Sequence, residues 1–210
     1  MTDPDVTLTD YGVAILCAVF VWRLWRGHRL GLPGPWLVRF FAGVGAAAAL
    51  GGTVHGFFPL EGTPEHDVLW SATLIALGLA AFAAWGLGAR LVLRDGLARG
   101  LIGLTGLVVL AYVALVLAGY REFRVALLHY VPATVFLLLA VLLAHGRRPE
   151  PGFRFAAAGL ALSFVAALLQ QLGVGLHPAW LDHNALYHVL EAVALVLLYV
   201  GMTRALGGRR

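Results

Sequence analysis

Seven stretches of about twenty largely apolar residues divide the chain, at Leu8–Trp25, Trp36–Phe58, Val68–Val92, Leu97–Gly119, Val125–His145, Phe153–Val174 and Ala185–Ala205. A helix needs ~20 such residues to cross a bilayer core, so each stretch is predicted as one transmembrane span. Period-two alternation is absent, and the runs are too continuous for a barrel. Only helices can then satisfy the backbone inside a membrane. The connections are short, so residues 1–210 are predicted to form a single all-α, polytopic membrane bundle of seven helices with no soluble domain.

Composition agrees with this pattern: 60% of the 210 residues are apolar and 12% charged, outside the range of soluble domains. The basic residues add an orientation. All fifteen are Arg. If the spans alternate, Arg23, Arg26, Arg29, Arg39, Arg90, Arg94, Arg99, Arg147, Arg148, Arg154, Arg204, Arg209 and Arg210 share one side, leaving only Arg121 and Arg124 on the other. The positive-inside rule therefore predicts an outer N-terminus and a cytoplasmic C-terminus, in the cytoplasmic membrane of a bacterium-like cell. The opening MTDPDVTLTD is acidic and lacks a basic region, so the first span is not expected to be a cleaved signal. The lone Cys17 is expected to pack within that span, which otherwise suggests no chemistry.

Polar residues interrupt the apolar pattern mainly at one end. Leu181 to Glu191, LDHNALYHVLE, opens the last span, and at 100° per residue Asn184, His188 and Glu191 share a helix face. His183 points about 140° from His188 unless it sits in an unwound start. An ionisable side chain in a bilayer core costs about 2.5 kcal/mol or more without a partner, so this face is expected to look into the protein. The alternating topology also sends His55, His66, His129 and His177 to that end, with Asp67 and Gln170. Asp67 also suits a helix N-terminus behind Pro64, which is its purely structural reading.

Three imidazoles with a nearby carboxylate are the donor set of a catalytic zinc, which holds a water in its fourth position. On this reading His55 and His188 are ligands, and the third is His183 or His129. Asp67 orients or deprotonates the water, and Asn184, Glu191 and Gln170 support the ligands. A second reading is a b-type haem held axially by His55 with His129 or His188. A third is a sensor or solute-binding protein without catalysis. A retinal Schiff base is excluded by the absence of lysine, and the scattered arginines give no nucleic-acid surface.

With GGTVH ending in His55, Asp67 following a short loop, and HNALYH closing the pattern, the chain resembles the seven-span superfamily of alkaline ceramidases and progestin/adipoQ receptors. That resemblance implies a zinc-dependent hydrolase acting on an amide or ester of a lipid-like substrate, with membrane lipid as its surroundings. The family spaces its last two histidines four apart, whereas His183 and His188 are five apart and Asn184 stands one turn before His188. The family's serine four residues before the second-span histidine is Gly51 here, so Ser71 or Tyr187 would have to assist the oxyanion.

Overall fold

A computed structural model describes residues 2–27, 30–177 and 180–207. It contains α1 (Pro4–Gly27), α2 (Gly34–Phe57), α3 (Pro64–Val92), α4 (Asp95–Leu117), α5 (Phe123–Arg147), α6 (Pro151–Gln171) and α7 (His183–Gly207). Each is long and apolar enough to cross a membrane, and the chain is built as an integral membrane protein. His28, Arg29, Arg209 and Arg210 lie outside the described residues.

Local chemistry sets the helix ends more sharply than hydropathy does. At α3, the Thr63 hydroxyl accepts from the His66 N–H and Pro64 occupies the first turn, where its missing N–H costs nothing. At α7, the Asp182 carboxylate accepts from the Ala185 N–H at 2.8 Å, so the helix starts at His183 rather than further in. His183 is therefore helical, and no unwound segment turns it toward His188. Helices α4 and α6 stop at glycines with positive φ, Gly119 (102°) and Gly173 (68°). In each, the next residue but one after the helix cap donates back over the glycine: Tyr120 to Leu115 O and Val174 to Leu169 O, at 3.1 and 3.0 Å. Gly173 ends α6 at Gln171, three residues before the hydropathy-based boundary.

Helices α1, α2, α3, α5, α6 and α7 close a ring in that order, and α4 docks on the outside of α3. The ring is held by small residues. Lipid tails are as apolar as the side chains they would replace, so helices in a bilayer associate largely by close packing. Helices α6 and α7 touch backbone to backbone at Gly152, Gly159 and Gly201. A Cβ added at Gly201 would stand 2.4 Å from Ala156 N and 2.6 Å from Gly152 O. Gly43 meets Ala80 between α2 and α3, and Gly45 meets Cys17 between α1 and α2.

The interior is packed unevenly. Toward the arginine-rich end, Phe20 stacks on Tyr199 with ring centroids 4.2 Å apart, and Phe41 meets both edge-on. Phe40, Leu198 and Met202 fill the rest. At the other end, where α1, α3, α5 and α7 begin, the ring is hollow.

Arg121 and Arg124, the exceptions to the arginine bias, are both neutralised at that hollow end. Arg121 pairs with Asp67 at 2.6 Å, and Arg124 pairs with Glu122. The hydrogen bond and charge from Arg124 hold the Glu122 carboxyl below its ordinary range.

The packing makes a direct prediction. Gly201→Leu should destabilise the bundle by about 3 kcal/mol or more, because the clash is with backbone and cannot be relieved by a rotamer change. Gly12→Ala, with nothing within 4 Å of the added carbon inside α1, should not destabilise and should gain up to about 1 kcal/mol of helix propensity. Thermal unfolding in detergent measures both, and equal melting points would refute the close contact.

Candidate functional site

The hollow end of the ring encloses a cavity of about 290 Å³. Its polar wall carries Asp10 from α1, His55 from α2, Gln170 from α6, and Asn184, His188 and Glu191 from α7. A second cavity of about 230 Å³ runs between α5, α6 and α7 and is lined mostly by apolar groups such as Phe40, Leu160, Phe164 and Leu195. The two share a wall that includes Leu127, Tyr130, Tyr187 and Glu191.

The central contact is between Asp10 and His188. His188 Nε2 lies 3.2 Å from Asp10 Oδ1, and both side chains are almost wholly buried. The other ring nitrogen, Nδ1, lies 3.2 Å from Thr9 Oγ1. The Thr9 hydroxyl sits 2.8 Å from Asp5 O and 3.0 Å from Val6 O, carbonyls of its own helix. Its single proton goes to those acceptors, so Nδ1 carries a proton and donates to Thr9. Nε2 and Asp10 then hold one proton between them, as imidazolium and carboxylate or as imidazole and carboxylic acid. Residues 9 and 10 thus fix both the tautomer and the orientation of a side chain on the last helix.

Asp10 is seated by glycine. A Cβ at Gly52 would come within 2.8 Å of Asp10 Cβ, so only glycine lets α1 bring its carboxyl this close to α2. At Gly51, where the resemblance expects a serine, an added carbon would meet Asp10 Oδ2 and Thr73 Cγ2 at an ordinary 3.7 Å. That position lies in the cavity wall.

Other residues singled out from sequence are placed as follows. His55 lines the cavity and stands edge-on to Trp70, with centroids 6.4 Å apart. Gln170 donates to Asn184 Oδ1 at 2.9 Å, so these two amides partner each other. Tyr187 lies in the shared wall. Glu191 is buried in the same wall, and its Oε2 has no partner among the described residues.

Four candidates fall elsewhere. Asp67 turns away from His55 to pair with Arg121, in the loop between α4 and α5, whose carbonyl also accepts from Trp70 Nε1 at 2.8 Å. The helix-terminus reading of Asp67 is therefore the one its geometry fits. Ser71 donates to the Asp67 carbonyl at 2.6 Å and does not line the cavity. His129 stacks on Tyr112 of α4, centroids 4.6 Å apart, on the far side of α3 from the cavity's α1 wall. His183 is half exposed, with Nδ1 3.9 Å from Asp182 Oδ2.

These placements test the metal readings. A three-imidazole site needs His183 or His129 beside His55 and His188, and neither lines the cavity. Both nitrogens of His188 are already engaged. Among the described residues, no group of three or more His, Cys, Asp or Glu side chains is arranged to hold a metal ion. The haem reading needs two imidazole nitrogens facing across a slot, and His188 offers none without breaking its contacts. His129, the other haem candidate, is stacked on Tyr112 and does not line the cavity, so in their present positions the lining residues supply neither donor set.

Asp10 was missed from sequence, although the signal was present: it is an ionisable residue two positions inside a hydrophobic span. Such a residue marks a site by default.

The pair is open to a double-mutant test. Asp10→Ala and His188→Ala each strand a buried polar partner and should cost about 3 kcal/mol or more. The double variant should cost less than the sum by about 1 kcal/mol or more. Strictly additive melting data would show that the pair does not tie α1 to α7. Asp67→Asn, which breaks a half-exposed pair, should cost about 1 kcal/mol or less.

Comparison with known proteins adds a family and no activity. The profile of a family described only as a family of unknown function matches residues 6–206. No curated protein and no solved structure matches the chain.

Proposed function

The chain belongs to that family, DUF6962, and we propose that it binds a lipid-like amphiphile within the membrane, in the pair of cavities inside the helix ring. One observation carries this reading: a cavity with a cluster of polar side chains on its wall and a more uniformly apolar cavity share a wall. A molecule with a polar head and a hydrocarbon chain matches both at once, with its head beside Asp10, His55 and His188 and its chain between α5, α6 and α7. Pockets that take small molecules are usually of this type, largely apolar with a few convergent polar groups. The arginine distribution supports an orientation with the cavity in the outer leaflet.

A second reading, hydrolysis of an amide or ester in the bound molecule, is favoured by the proton held between His188 and Asp10. Such a pair can take a proton from a water attacking a carbonyl and return it to the leaving group, the work of a general acid and base. Tyr187, in the shared wall, is within the same cavity to donate to a developing oxyanion. This route needs no metal, and no step of it passes through one.

Two measurements test the proposal. Lipid extracted from detergent-purified protein should contain a defined amphiphile at near one per chain, and Ala167→Trp, which fills the apolar cavity, should release it while the protein stays folded, with the melting point lowered only by the loss of the ligand's stabilisation. Identical lipid content in the two proteins would refute binding at this place. For hydrolysis, Asp10→Asn and His188→Ala should lower turnover of lipid amides or esters by about a hundredfold. Elemental analysis and an absorption spectrum belong with these assays. The donor geometry leads us to expect neither stoichiometric zinc nor a Soret band, and one zinc per chain that disappears in His188→Ala would overturn the metal-free reading.

A further inference from the structure

Glu191 follows His188 by three residues on the same face of α7 and stands in the wall common to the two cavities. It is more than nine-tenths buried, at 8% exposure. Its Oε2 has no hydrogen-bond partner among the described residues, and Ser163 lines the apolar cavity beside it. A buried carboxyl oxygen with no partner carries its full desolvation cost, so it is a strong demand for a hydrogen-bonding group.

The surroundings limit what can meet that demand. The cavity walls hold two carboxyls, Asp10 and Glu191. No arginine is among the described residues that line either cavity, and the chain has no lysine. Asp10 is already matched by His188, and the Gln170 and Asn184 amides are matched to each other. A phosphate or carboxylate head reaching Glu191 would meet its unpartnered carboxyl oxygen with no arginine or lysine to compensate; of the two imidazoles in the wall, His188 is already committed to Asp10 and Thr9 and only His55 is left, which disfavours an anionic head. A head that donates meets an unsatisfied acceptor.

From this geometry we infer that the site selects amphiphiles whose head carries N–H or O–H donors and no anionic group, and that the Glu191 carboxyl receives the donor nearest the hydrocarbon chain. The position of Glu191 sets this contact at the point where the cavity with the polar cluster gives way to the more uniformly apolar one. The inference rests on the amphiphile-binding reading and adds to it the chemistry of the head and the residue that reads it. Charge-assisted hydrogen bonds of this type change affinity by about tenfold or more.

The test is competition by four dodecyl compounds, the amine, the alcohol, the carboxylate and the phosphate, against a fluorescent acyl probe on the full chain in nanodiscs. The amine and alcohol should compete about tenfold or more better than the carboxylate and phosphate, and the amine-to-alcohol ratio separates an ionic contact from a simple hydrogen bond. In Glu191→Gln the preference for amine over carboxylate should fall about tenfold while the melting point holds, and Glu191→Leu should abolish it. A carboxylate or phosphate that competes as well as the amine overturns the inference, as does an unchanged ratio in Glu191→Gln. If no dodecyl compound competes and no lipid co-purifies, the amphiphile reading falls with it. If lipid co-purifies but the four heads compete equally, only the role of Glu191 falls.

Discussion

The ring closes between its first and last helices, and there a carboxyl meets an imidazole. Asp10 on α1 and His188 on α7 are 178 positions apart in the chain and 3.2 Å apart in space. Within a membrane neither can be left alone, because there is no water to take the place of the partner. An apolar contact would join two helices at least as cheaply, since buried ion pairs seldom outperform well-packed hydrocarbon of the same volume. The pair is therefore an expensive way to hold α1 on α7, and it makes sense as a group that both closes the ring and faces its interior. Thr9 completes the arrangement by fixing which imidazole nitrogen looks inward.

Closing the ring there leaves a division of labour along the bundle axis. Aromatic and branched side chains fill the arginine-rich end, and glycine contacts between α6 and α7 bring backbones together without side chains between them. The rigidity lies in that half. At the other end the same six helices stand around space, with α5 packed more lightly on α6 than α7 is. A cavity survives in a bundle whose helices otherwise approach closely because the polar groups around it are held by each other. Gln170 holds Asn184, and Thr9 and Asp10 hold His188.

The fold was legible because membrane burial imposes one rule on every span. Twenty apolar residues mean a helix, and all seven appear. The boundaries were less legible, because glycines at 119 and 173 and the Asp182 cap decide them and hydropathy does not register such signals. The side of the bundle that carries polar chemistry was legible too, from the histidines. Which of them meet was not. Helical wheels give each face but say nothing of which neighbour that face confronts. Thus His129, at the correct depth, faces Tyr112, and Asp67, at the correct end, serves Arg121. Asp10 does not stand out in the sequence because it closes the acidic opening MTDPDVTLTD, where Asp3 and Asp5 precede it.

His55 shows what remains of the expected constellation. It reaches from α2 into the cavity whose wall His188 shares, and Gly51 one turn before it opens onto Asp10. The imidazole from α7 has instead found a carboxyl on α1. A metal ion at this end would have to compete with Asp10 and Thr9 for the nitrogens of His188. Proton exchange asks for no such displacement: the proton between Nε2 and Oδ1 can move with neither residue leaving its place. With both nitrogens of His188 engaged, a metal ion could ligate it only after rearrangement. Glu191 Oε2, in contrast, is buried with no partner among the described residues to displace.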